Sequence, residues 1–145
     1  MPEHKKIDYS NNYILSFDEN NAKRVVIQER DTFTPVSVYF DSPTDTIINL
    51  NFAGTTPHLV LRVDDLPTSW VKVKGKFTAN NKAEFTLPVE MWEALREKSP
   101  ISLMEQWSLS MSACVLIEYE GLQMVLPPDK FLDVHVDLTL EGKYN

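Results

Sequence analysis

A single cysteine in 145 residues, Cys114, leaves no intrachain disulfide and no all-cysteine metal site. Histidine is nearly as scarce, and His4, His58 and His135 are too scattered for a zinc-finger spacing. With only four glycines, Gly54, Gly75, Gly121 and Gly142, a glycine-rich phosphate loop is excluded. No apolar run approaches the ~18 residues of a membrane span, and the opening "MPEHKKIDYSNNY" lacks the apolar centre of a secretory signal. Sec-type export is therefore not expected, and folding in a cytoplasm is. Positive charge is also sparse. Fourteen Lys and Arg against 21 Asp and Glu give a net charge of −7 and a pI near 4.9. That balance opposes non-specific nucleic-acid binding, which depends on clustered Lys and Arg.

What is present is alternation, broken repeatedly by turn residues. The first twelve residues are polar and read as a flexible N-terminal arm, 13–141 as one β-sandwich domain, and 142–145 as a C-terminal tail. Extended segments are expected at "YILSF" (13–17), "RVVIQ" (24–28), "TFTPVSVYF" (32–40), "TIINLNF" (46–52), "HLVLRV" (58–63), "SWVKVKGKF" (69–77) and "AEFTL" (83–87). They continue at "EQWSLSMSACVLIEYE" (105–120), "QMVL" (123–126) and "FLDVHVDLTL" (131–140). Pro35 points to an edge or a bulge, because proline cannot donate to a ladder, and such an edge is open to an added strand. One segment has helical spacing. "LPVEMWEALREK" carries Pro88 and Glu90 at its start and Arg96 and Lys98 at its end, predicting a helix over about 88–98 with Val89, Trp92 and Leu95 on the buried side. The fold class that follows is all-β: a single antiparallel β-sandwich, immunoglobulin-like, with one short helix, a barrel being the alternative.

Three groups of residues stand out as candidates for function. In "DVHVD", Asp133, His135 and Asp137 occupy every second position. Residues two apart on a strand are ~6.6 Å apart and residues four apart ~13 Å, whereas metal–ligand bonds are about 2.0–2.2 Å. Three in-line ligands on one straight strand therefore do not close on one ion, and the solvated face of a strand accounts for the same letters. Trp70, Lys72, Lys74 and Lys76 form an outward stripe that reads either as an anion platform or, better for an acidic chain, as lysines discouraging edge pairing. Ser108, Ser110 and Ser112 back an apolar face; no G-x-S-x-G elbow and no base in sequence serve them, so they read as solvent face or partner interface. No catalytic residue, metal or cofactor is assigned. The ten residues together make a candidate interaction face.

The order of segments resembles the immunoglobulin-like modules of phage tail and baseplate proteins, of the kind found at the N-terminus of baseplate upper proteins. The resemblance runs from "RDTFTPVSVYF" through "TTPHLVLRV", "WVKVKGKFTANNKAEFTLP" and "VEMWEAL" to "SACVLIEYEGLQMVL" and "FLDVHVDLTL", about residues 30–140. It implies a non-enzymatic virion structural or adaptor protein of tail, baseplate or neck. The partners implied are other virion proteins, with the chain present in symmetric copies or as a homo-oligomer, and neither nucleic acid nor membrane. The place implied is the virion, after synthesis in the host cytoplasm. Two other classes remain open beside it: a carbohydrate-binding β-sandwich module and a small acidic host-directed inhibitor.

Overall fold

The computed structural model describes residues 13–20, 22–29, 31–41, 50–51, 53–64, 70–98, 108–126 and 132–137. The expected arm, the tail, most of the 46–52 segment, Trp107, Phe131 and 138–140 lie outside the described residues. The elements are β1 (Ile14–Ser16), β2 (Arg24–Gln28), β3 (Val36–Asp41), β4 (Thr56–Val63), β5 (Trp70–Lys74), β6 (Lys76–Ala79), β7 (Lys82–Phe85), α1 (Val89–Lys98), β8 (Ser108–Tyr119), β9 (Leu122–Leu126) and β10 (Leu132–Asp137). They form two sheets. One has four strands in the order β1-β3-β7-β6; the other has six, β2-β10-β8-β4-β5, with β9 also on β8.

Period-two burial builds the core between the sheets. Strand β8 sends Leu109, Met111, Ala113, Val115 and Ile117 inward, and β4 sends Leu59, Leu61 and Val63, all nearly solvent-free. Val36, Val38 and Phe40 of β3, with Ala83 and Phe85 of β7, face them from the four-stranded sheet. Each large apolar side chain buried in this way contributes about 1.5–3 kcal/mol. Val134 and Val136 close the core from β10. The β8–β9 hairpin turns on Glu120 (φ 50°) and Gly121 (φ 81°), the pair of positive φ values that a two-residue hairpin with the twist of its strands requires.

Three expectations are corrected or narrowed. The sandwich is not wholly antiparallel: β2 runs parallel to β10, in register from Arg24 beside Asp133 to Gln28 beside Asp137. Side-chain alternation has the same period in both kinds of ladder, so "RVVIQ" carries no mark of direction. Pro35 makes no bulge and lies just ahead of β3, so its missing N–H falls outside the ladder. Strand β7 pairs the first half of β3 on one side, while β1 reaches only its last half, from Tyr39 to Asp41, on the other, so the edge expected at Pro35 is confined to that first half. In α1 the buried residues are Met91, Trp92 and Leu95, while Val89 is 40% exposed. Leu87, just ahead of the helix, is buried in the core.

The first stretch of chain serves both sheets. Strand β1 pairs antiparallel with β3, and β2 then joins the other sheet. Between them the Asp18 carboxylate accepts the amides of Asn20 and Ala22 at 2.9 Å, the side-chain-to-backbone turn that Asp favours. A second crossing lies at Gly75, the one residue between β5 and β6. A Cβ there would sit 2.3 Å from the Phe85 ring and 2.5 Å from the Glu84 carbonyl oxygen, so only glycine lets the chain pass this close.

Candidate interaction face

The outer face of the six-stranded sheet gathers all but one of the ten candidate residues. Strand register sets them in rows. Arg24, Asp133, Ser112, Arg62 and Trp70 lie opposite one another across β2, β10, β8, β4 and β5. The next row holds Val26, His135 and Ser110, and the one beyond it Gln28, Asp137 and Ser108. Toward the other end of the face, Lys72 stands opposite Val60, and Lys74 opposite His58. Lys76 is the exception. The crossing at Gly75 carries it into β6 of the four-stranded sheet, so the lysine stripe expected from alternation is cut after Lys74.

Several side chains are tied together. The Ser112 hydroxyl donates to the Asp64 carboxylate at 2.6 Å. The Arg62 guanidinium lies over the Trp70 ring, 5.1 Å from its centroid, so Trp70 is half-buried and not the bare aromatic the sequence promised. The Lys98 ammonium reaches the Trp70 carbonyl from α1. His58 Nε2 stands 3.0 Å from Glu118 Oε1, with the Lys72 ammonium at 3.9 Å from the same oxygen. Burial pushes the His58 imidazole below the ordinary histidine range; the Glu118 charge opposes this, and Lys72 and Lys74 reinforce it. Cys114, on this face in the row of Val60 and Lys72, is buried, and that burial raises its thiol despite the Arg62 charge nearby.

The catalytic readings can be judged on geometry. His135 lies directly across from Ser110, a neighbour that the sequence did not reveal. Its Nε2, however, is 3.4 Å from Asp137 Oδ1, and its buried Nδ1 makes no hydrogen bond among the described residues. An activated serine needs its hydroxyl within about 2.6–3.2 Å of the base, and no Ser110–His135 bond is formed among the described residues. Nor do any three His, Cys, Asp or Glu side chains among the described residues converge as metal ligands. A shallow hollow of about 250 Å³ does lie here, lined by Arg24, Asp64, Ser110, Asp133 and His135 among others, with both signs of charge on its rim.

Sequence reasoning gave Arg62 and His58 no role, and it missed Asp64, Arg24 and Glu118. Alternation assigns a face; it does not say which strands are neighbours. A further residue escaped notice altogether. Glu29 is buried at the end of β2, where its carboxylate accepts a hydrogen bond from the Arg96 guanidinium of α1. Arg96 was read only as a charge suited to the helix end. No protein-family model matches the chain, and no curated protein matches it.

Proposed function

We propose that this chain is a non-enzymatic structural or adaptor protein of a phage virion, in the tail, baseplate or neck, which docks between other virion proteins. The observation that carries the reading is the outer face of the six-stranded sheet. Across five strands it offers a rigid plane of paired charges, serines and one shielded tryptophan, with the chemistry of a contact surface. The virion setting rests on the segment order over residues 30–140 that resembles baseplate modules.

We further read the two sheets as immunoglobulin-like. Support comes from the orders β1-β3-β7-β6 and β2-β10-β8-β4-β5, with the first strand divided between the sheets and its second half parallel to the last strand. Affinity capture with the full chain from phage-infected lysate, followed by mass spectrometry of purified virions, tests the role. Recovery of tail or baseplate proteins, reduced when Asp133 and Ser110 are both changed to Lys, is the expected result. Absence from virions overturns it. A glycan-array signal that Trp70→Ala abolishes would instead favour a sugar-binding module.

A further inference from the structure

Among the described residues β2 is the terminal strand on one side of the six-stranded sheet. In a parallel ladder every second residue turns both backbone groups toward its partner strand. The Asp133 amide bonds to the Lys23 carbonyl at 3.2 Å, and the Glu29 amide to the Asp137 carbonyl at 3.0 Å, so the odd-numbered residues here face β10. Alternation then turns the amides and carbonyls of Arg24, Val26 and Gln28 to the open side. Their one described intrachain partner there is the Asp31 amide, 3.1 Å from the Gln28 carbonyl. Val26 is 55% exposed, and Phe33, shortly beyond the strand, is 93% exposed. Between β2 and the start of β3 runs a groove of about 260 Å³ lined by Val25, Ile27, Pro35, Val36 and Leu87 among others. Sheet edges are ordinarily blunted by lysine, proline or a bulge, and none of these lies within "RVVIQ".

We infer that β2 is a self-association edge, on which a second copy of this chain pairs its own β2 antiparallel about a two-fold axis through Val26. In that register Val26 meets Val26, Arg24 of one copy meets Gln28 of the other, and Val25 meets Ile27. The even-numbered residues carry the open backbone groups, so the Val26 pair and both Arg24–Gln28 pairs are of the hydrogen-bonded kind, each exchanging two N–H···O bonds. No like charges meet, and the two six-stranded sheets become continuous. The same operation on β5, about Lys72, would set Lys72 against Lys72, and like charges directly opposed are unfavourable. The charge pattern therefore favours β2 over β5, and its occupant is another β2, because the strand is complementary to itself. Strand β9, uncharged and paired only with β8, is the alternative edge that the Val125→Lys control reports on. The inference does not rest on the virion reading.

Sedimentation velocity of the full chain from micromolar to about 1 mM tests it. The expected result is a monomer–dimer equilibrium that Val26→Lys weakens by about tenfold or more, by placing like charges on the axis. The matched change Val125→Lys, at an exposed position of β9 on the far end of β8, leaves it unchanged. Circular dichroism confirms that each variant is folded. Register is read by crosslinking. Hydrogen-bonded pairs place Cα atoms about 5.5 Å apart, within disulfide reach. Val26→Cys therefore forms an interchain disulfide on oxidation, whereas Gln28→Cys, facing Arg24, does not; Cys114 is buried and stays out of the reaction. A monomer throughout the range, a dimer indifferent to Val26→Lys, or preferential crosslinking of Gln28→Cys overturns the proposal.

Discussion

Two edges of the six-stranded sheet, β5 and β2, solve the same problem in opposite ways. Strand β5 carries Lys72 and Lys74 outward, and α1 packs beside it, with the Lys98 ammonium on the Trp70 carbonyl. Strand β2 carries one charge, Arg24, and presents Val26 and Gln28 to the open side. Both edges bury alternate apolar residues against one core, Val71 and Val73 at β5, and partly Val25 and Ile27 at β2. Apart from the helix beside β5, the difference lies in what stands between those residues. Edge chemistry is therefore written in the outward-facing half of a strand and is independent of the half that folds the protein.

The comparison can be broken most severely at the β5 end. Gly75→Ala drives a methyl group into the Phe85 ring and the Glu84 carbonyl, and the backbone contact has no rotamer with which to yield. A loss of about 3 kcal/mol in urea unfolding is expected; a loss below about 1 kcal/mol would show that the crossing tolerates a side chain. The β2 end has its own anchor in the Glu29–Arg96 pair, which joins the strand's end to α1. Arg96→Ala leaves the buried Glu29 carboxylate without this guanidinium and should cost about 2 kcal/mol, less than for a fully buried pair because the Arg96 side chain is 33% exposed. The double variant Glu29→Met with Arg96→Met should recover most of that loss in the same unfolding measurement, by removing the charge as well as its partner.

A smaller effect on stability, with a larger one on assembly, is expected from Lys72→Val combined with Lys74→Val. Folding free energy should move by no more than about 0.5 kcal/mol, while light scattering should show new self-association through β5. If β5 stays monomeric without its lysines, the helix beside it is the guard and the charges are incidental.

The smallest effect is the titration of His58, in the β5 half of the face. Its folded pKa lies below the unfolded value of 6.5, so the unfolded chain takes up a proton before the folded one does. The stability this histidine confers is thus complete above pH 6.5 and is lost as pH falls through the depressed folded value. Unfolding midpoints between about pH 7 and pH 5 should fall less steeply in His58→Gln than in the parent chain. Equal slopes would remove His58 from the account.

Much of the architecture was legible in the letters. "SLSMSACVLIEY" announced both faces of the longest described strand, because inward and outward positions differ in chemistry at a period of two. The helix was legible in its start and stop residues, though its buried side was displaced from Val89 to Met91. The candidate face was legible residue by residue and illegible as a face. Nothing in "DVHVD" says that Asp133 stands across from Ser112 and Arg24, or that Ser112 bonds Asp64 from a segment 48 positions away.

By itself the sequence determined which side of each strand meets the core, that the described residues are strands with one short helix, and that Gly121 sits where a tight turn needs it. These are local matters, settled by the size and polarity of neighbouring side chains. Tertiary structure alone decided the order of strands, the parallel course of β2 beside β10, the passage of Lys76 to the other sheet past Phe85, and the burial of Glu29 against Arg96. Each of those depends on which distant segment lies alongside, and backbone hydrogen bonds are alike for every residue that makes them.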